Sequence, residues 1–324
     1  MCPLCVNVLR AFRLKGVRVK NKLLLCVSLL ATGLIAACGE AVDPPRQAST
    51  KIESPAKAAP APTKKADEDG VKVGKGSSFR HLVPAEGLEK QAAQQYQQLK
   101  QQTAAKKALA PDNYPELVRL RAIAQRIIPH ATRFNERAAK WQWEVNLIGS
   151  SQINAFCMPG GKIAFYTGIL RTLKLTDDEV AMVMGHEIAH ALREHAREQA
   201  AKSIATKIGA VGLSIATGGR IDGLLQGGAS LLSLKFSRND ETDADLVGLD
   251  IAARAGYDPR AGISLWKKMS AASKGAPPQF MSTHPSGPNR IKEIEAHLKE
   301  VLPLYQRAEK PKPMIVDAKP PVAP

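Results

Sequence analysis

Two histidines four residues apart, with a glutamate beside the first, stand in the middle of this chain: His186-Glu187-Ile188-Ala189-His190. On a helix, residues four apart lie one turn above each other and point the same way. Two imidazoles so placed can share one zinc ion. Glu187 then stands where a carboxylate can take a proton from a water that the metal activates. The neighbouring residues 181–184 and 188–192 are mostly apolar. Charged groups on a largely buried helix need partners, and a metal is one. The alternative is a chance match, two solvated histidines on an exposed face.

A catalytic zinc uses three protein ligands and keeps one position for water. A metzincin would continue as H-E-x-x-H-x-x-G-x-x-H, but Arg193 and Ala196 occupy the glycine and final histidine positions. His195 is one residue short, turned about 100° from the required direction on a helix, and reads as a surface histidine. The better candidates lie in Arg238-Asn239-Asp240-Glu241-Thr242-Asp243-Ala244-Asp245, where Glu241 and Asp245 share one helix face. A carboxylate on a second helix is the third ligand a gluzincin uses. Asp245 would then accept the outer ring N–H of a zinc-bound histidine and fix its tautomer. A solvated acidic turn paired with Arg238 fits the same spacing, and spacing alone does not choose.

Further motifs flank these two. Asn154-Ala155-Phe156-Cys157-Met158-Pro159-Gly160-Gly161 and Tyr166-Thr167-Gly168-Ile169-Leu170 precede the histidines, and Thr283-His284-Pro285 with Arg290 follows the acidic segment. In this order, over about residues 115–298, the chain resembles the metallopeptidase family of the CAAX prenyl proteases and the heat-shock protease HtpX. Within it, the likeness is to the periplasmic lipoprotein branch. The resemblance implies one zinc on His186, His190 and Glu241, with Glu187 as general base. It also implies His284 near the substrate carbonyl and Arg290 as a nearby support. By itself His284 would read as an ordinary loop histidine on a Pro- and Gly-rich segment. Two departures stand out. The membrane-embedded members carry transmembrane helices of a length not seen here, which argues against a membrane-embedded substrate. Cys157 stands where an apolar residue is more usual.

The elements expected to position these groups make an α+β, mainly helical, gluzincin-type domain with a short β-sheet beside the H-E-x-x-H helix. Thr176 and Glu179 form a capping box, and Val180, Met184, Ile188 and Ala191 keep an apolar face, so one helix is expected over 176–201. A second is expected over 231–255. Helices are also expected over 85–109, over 115–140 with an interruption at Pro129, from Asp258-Pro259, and over 288–301. Trp141, Trp143, Val145 and Leu147 alternate as a half-buried strand, and two short strands flank Pro159-Gly160-Gly161. Asn154, Ala155, Phe156 and Cys157 would offer a substrate an open sheet edge, or form an ordinary edge strand. Such an edge reads backbone, so it would select unfolded or extended polypeptides. The Gly- and Ala-rich segment 203–234 reads as a lid or insertion beside the cleft, with a membrane hairpin as the alternative.

The ends carry a different message. Residues 1–37 hold Arg10, Arg13, Lys15, Arg18, Lys20 and Lys22 and no acid, followed by an apolar run ending Ile35-Ala36-Ala37-Cys38. This reads as a lipoprotein signal peptide with Cys38 as the lipid attachment site. Gly39 after it favours a periplasmic protein anchored to the outer membrane over the inner. Residues 38–80, rich in Pro, Ala, Lys and Ser, read as a disordered tether, 81–308 as the zinc metallopeptidase domain, and 309–324 as a disordered Pro-rich tail. Of five cysteines, Cys157 alone would remain free, so no internal disulfide is expected. The net charge of +16 falls to about +10 without the signal. It is dispersed, with only 5% aromatic residues, which argues against nucleic-acid binding. The expected partners are therefore polypeptide substrates, the membrane and, as a further possibility, the outer-membrane assembly machinery. The rival classes are a lipoprotein with a structural or lost zinc site and a chaperone-like assembly factor.

Overall fold

The helix that bears both histidines, α4 (Asp177–Leu192), is buried along nearly its whole length. In a computed structural model the described residues are 69–211, 230–273, 278–285 and 289–312. The signal peptide with Cys38, most of the tether, residues 212–229 of the expected lid and the end of the tail lie outside them. Helix α4 starts where the capping box demands. Thr176 Oγ1 accepts from the Glu179 N–H at 3.3 Å, and Glu179 Oε2 accepts from the Thr176 N–H at 2.9 Å. Residues 179–192 are buried without interruption, so the helix is enclosed on all sides rather than on one apolar face.

A three-stranded sheet of order β1-β3-β2 lies on one side, with β1 (Glu144–Ile148), β2 (Ala155–Met158) and β3 (Lys162–Tyr166). β1 pairs parallel to β3, and β2 antiparallel, with Cys157 opposite Ile163. The turn between β2 and β3 uses Gly160 and Gly161 at φ +82° and +77°, a region that L side chains avoid. The Trp141–Trp143 alternation belongs to the approach, and all five residues of β1 are buried instead of every second one. The reason is that both faces are covered. Helix α1 (Ala85–Ala105) sends Tyr96 to the carbonyl of Ile163 and Lys100 to Glu144 at 2.5 Å, while α2 (Pro115–Ile127) lies across the other face. Pro129 ends α2 in short 3-10 turns, Ile128–Arg133 and Glu136–Lys140. After β3 comes the short α3 (Thr167–Thr172).

The single helix expected over 176–201 is broken. Glu194 is left-handed at φ +58°, and α5 (His195–Val211) begins after it as a separate helix. The elbow is held by side chains: Arg193 Nε to Asp243 Oδ2 at 2.5 Å, and Glu194 to Arg80 at 3.3 Å and Arg197 at 2.8 Å.

The acidic helix α6 (Arg238–Arg254) begins seven residues later than expected, because Ser237 and Asp240 form its capping box. Leu231–Ser233 is only a 3-10 turn. Helix α6 crosses α4 at two glycines. A Cβ on Gly248 would lie 2.7 Å from the His186 backbone nitrogen, and one on Gly185 2.7 Å from the Gly248 carbonyl oxygen. The backbones of the two helices therefore touch one residue from His186. Helices α7 (Ala261–Ala272) and α8 (Gln279–Thr283) follow. The last helix, α9 (Arg290–Arg307), runs past the expected end and takes Pro303 inside.

Ordered structure also begins before residue 81. Val71 is buried, and its N–H reaches Asp250 Oδ2 at 3.0 Å. Among the described residues no helix is long and apolar enough to cross a membrane.

Candidate metal centre

Helix α4 projects His186 and His190 from consecutive turns, and α6 brings Glu241 against them across the Gly185–Gly248 contact. His284, directly after α8, closes the group. One ligand-type atom from each of these four buried residues lies within 4.8 Å of the others. The separations are 3.1 Å between the two Nε2 atoms, 3.5 and 3.4 Å from them to the Glu241 carboxylate, and 3.1 Å from His284 Nδ1 to Glu241 Oε1. Ligands about 2.0–2.1 Å from a tetrahedral zinc are roughly 3.3 Å apart, so the donor set fits that ion in both chemistry and spacing. A second observation agrees. Glu187 Oε1 is buried with no hydrogen-bond partner in the protein, 3.5 Å from His284 Nε2. A carboxylate oxygen so placed calls for a water or substrate proton.

The surroundings hold each group in place. His186 Nδ1 lies 3.0 Å from Asp245 Oδ1. Arg290 donates to both oxygens of Asp245, at 2.7 and 2.6 Å, and to Glu241 Oε2 at 2.6 Å, with its guanidinium 3.6 Å above the Trp266 ring. Arg290 therefore stands as a support, and the groups it holds are the two carboxylates. His284 itself stacks on Phe280 with 4.5 Å between ring centroids, and His190 on Phe236 at 4.0 Å.

Electrostatics follow from this geometry. Burial pushes Glu241 up, but hydrogen bonds from the three histidines overcome it and keep the carboxyl far below its usual range. Asp245 is likewise raised by burial and lowered more by Arg290 and His186. His186 is pushed down by burial but lifted to about 9 by Asp245 and Glu241. Groups that stabilise a positive charge on this ring also favour a cation beside it. Burial prevails at His190, which is driven well below the ordinary histidine value, and at Glu187, which is raised.

The cluster opens on a cleft. Asn154, Ala155, Phe156 and Cys157 line one wall and Leu231, Leu232, Leu234 and Phe236 another, with Glu187, His190 and His284 between them. β2 is an edge strand among the described residues. Burial pushes the Cys157 thiol well up, and nearby Glu187 adds to this, so it lines the cleft as a neutral group.

One residue at the site escapes sequence reasoning. His195 is not on the surface but 4% exposed, with Nδ1 2.9 Å from His190 Nδ1 and Nε2 3.2 Å from Asp243 Oδ2. Only the left-handed Glu194 brings it there, and a five-residue spacing on a continuous helix carries no such signal.

Comparisons with known proteins agree with this centre. Over 169 residues the chain is 37% identical to the mitochondrial metalloendopeptidase OMA1 of Arabidopsis thaliana, covering 52% of this chain and 34% of that one. The protein of the same name in Schizosaccharomyces pombe is 37% identical over 163 residues, covering 49% and 48%. The beta-barrel assembly-enhancing protease of Escherichia coli strain K12 is 25% identical over 202 residues, covering 57% and 39%. The match thus spans from about a third to about half the length of these relatives. A family model described as Peptidase family M48 matches residues 118–298, more than half of the sequence and all seven residues from His186 to Arg290 that build the centre, and the chain belongs to that family.

Proposed function

We propose that this chain is a zinc-dependent endopeptidase of the bacterial cell envelope that cleaves misfolded or unassembled proteins, a role in protein quality control. The observation that carries the chemistry is the convergence of His186, His190 and Glu241 beside a buried Glu187 whose Oε1 accepts no hydrogen bond from the protein, in the lining of a cleft. Zinc held by these three residues would lower the pKa of a bound water to about 7 and polarise a peptide carbonyl. Glu187, raised by burial, is the base that takes the proton and returns it to the leaving amine. His284 stands beside Glu187 and donates to the oxygen that develops charge. The β2 edge takes the substrate as an extended strand, which favours unfolded segments over particular side chains.

The envelope setting rests on the leader, with its basic start and Ile35-Ala36-Ala37-Cys38. Diacylation of Cys38 would anchor the enzyme in the periplasm, on the outer membrane, as in the periplasmic lipoprotein branch. The similarity to a protein named for beta-barrel assembly favours one second reading, an assembly factor with weak or latent proteolysis.

Casein hydrolysis by the purified protein, measured beside Glu187→Gln, tests the chemistry. Wild type should cleave, and the variant should keep one zinc per chain while losing nearly all cleavage. Zinc binding without hydrolysis in wild type would favour the assembly factor. Mass spectrometry of Cys38 tests the setting, and a free thiol there would remove the lipid anchor.

A further inference from the structure

The two histidines of the cluster are backed differently. His186 reaches a carboxylate directly through its Nδ1, at Asp245. His190 has no carboxylate behind it. Its Nδ1 faces the Nδ1 of His195 at 2.9 Å, and the other ring nitrogen of His195 faces Asp243 Oδ2 at 3.2 Å. We propose that His195 and Asp243 are positioning residues for the metal ligand His190, a two-ring relay that fixes which nitrogen of His190 faces the metal; this rests on the zinc reading above.

The argument is one of donors and acceptors. An ionised carboxylate can only accept. Asp243 therefore requires N–H on His195 Nε2, which leaves His195 Nδ1 a lone pair. That lone pair requires N–H on His190 Nδ1, which leaves the His190 Nε2 lone pair pointing at His186, Glu241 and His284. The tautomer a ligand needs is thus dictated from two rings away.

Asp243 is built to remain an acceptor. Arg193 donates to it at 2.5 Å and also reaches the carbonyl of Gly74. Among the described residues the only other carboxylate facing His195 Nε2 is Asp240, whose Oδ1 lies 4.0 Å away, beyond hydrogen-bond reach, while its Oδ2 takes the capping-box and Gln199 bonds. All these partners sit at the α4–α5 elbow, so the left-handed Glu194 has a purpose: without it His195 would point elsewhere.

The test uses the full chain in four variants: Asp243→Asn, which keeps the volume, His195→Leu, His195→Gln and, as a reference, His190→Ala. Zinc affinity is measured by competition with a chromophoric chelator, the ligand field by the visible spectrum of the cobalt-substituted protein, and the apo fold by thermal melting. The Asn amide can donate toward His195 and reverse the relay. Asp243→Asn and His195→Leu should therefore weaken zinc binding by roughly 10–100-fold and alter the cobalt spectrum. His195→Gln, whose carbonyl can accept from His190, should recover part of the loss. If the reference loses zinc while Asp243→Asn and His195→Leu bind it within about twofold of wild type, the relay is refuted and the zinc reading stands. A changed melting temperature with unchanged zinc affinity refutes it too. If His190→Ala binds zinc like wild type, the ligand assignment itself has failed.

Discussion

Asp245 sits behind His186 at 3.0 Å, and the same carboxylate receives two N–H groups from Arg290, whose third contact is Glu241. One guanidinium thus holds both Glu241 and the carboxylate that backs His186. Asp245→Asn should bind zinc roughly 10–100-fold more weakly, since the His186 tautomer is no longer enforced. Arg290→Ala should cost more. It leaves Asp245 and Glu241 without their arginine, with His186 as the remaining cation beside them, and breaking a buried pair costs about 3–5 kcal/mol. Zinc would offset part of this at Glu241, so the loss in melting temperature should be larger with chelator than with zinc. Arg290→Lys should not restore wild-type behaviour, because the forked and stacked contacts need a planar group. Equal melting temperatures for wild type and Arg290→Ala in chelator would show that the arginine supports nothing.

The helix crossing predicts a sharp contrast between glycines. A methyl group at Gly248 would meet the backbone of His186 at 2.7 Å, and backbone cannot step aside. Gly248→Ala and Gly185→Ala should each destabilise by about 1–3 kcal/mol or more through overpacking, and should weaken zinc binding because α4 and α6 no longer close. Gly262→Ala should be mild, since its Cβ meets the end of the Leu249 side chain at 3.3 Å. Denaturant titration of the three variants gives the comparison. Equal losses at all three positions would contradict it.

His284 stands within reach of two roles, 3.3 Å from His186 Nε2 and 3.5 Å from Glu187 Oε1. His186, His190 and Glu241 suffice for a catalytic site with an open position. His284→Ala should therefore retain one zinc per chain while kcat falls by roughly 10²–10³ with little change in KM. Zinc loss as large as in Glu241→Ala would make His284 a ligand in its own right.

Local chemistry was legible in the sequence, and long-range contact was not. The Thr176–Glu179 capping box and the four-residue spacings of His186 with His190 and Glu241 with Asp245 are properties of single helices, so their faces can be read from order alone. The break at Glu194 could not be read, because nothing in residues 190–200 is a conventional helix stop; the elbow is imposed by Arg80, Asp243 and the Gly74 carbonyl. His195 was misplaced as a consequence. β1 looked half-buried because the helix that covers its second face, α1, contacts it through a few residues only, Tyr96 and Lys100 among them. Arg290 was legible as a support, but its partners, 45 and 49 residues away, were not.

Acid should destabilise the fold through a histidine far from the cleft. His130, in the turn after α2, is pushed down to about 4 by burial and by the guanidinium groups of Arg254 and Arg126. The unfolded chain takes up this proton near 6.5. The sign follows: between these values the unfolded state binds more protons, so stability is full above pH 6.5 and declines as pH falls toward 4. The shift corresponds to at most about 3 kcal/mol. His190 acts in the same direction, while His186, raised to about 9, contributes stability below pH 6.5 that is lost as pH rises through 9. Comparing wild type with His130→Gln at each pH cancels those groups. The difference in unfolding free energy should shift toward the variant by about 1–3 kcal/mol between pH 7 and pH 4.5. Parallel curves for the two proteins would show that His130 protonates freely in the folded state.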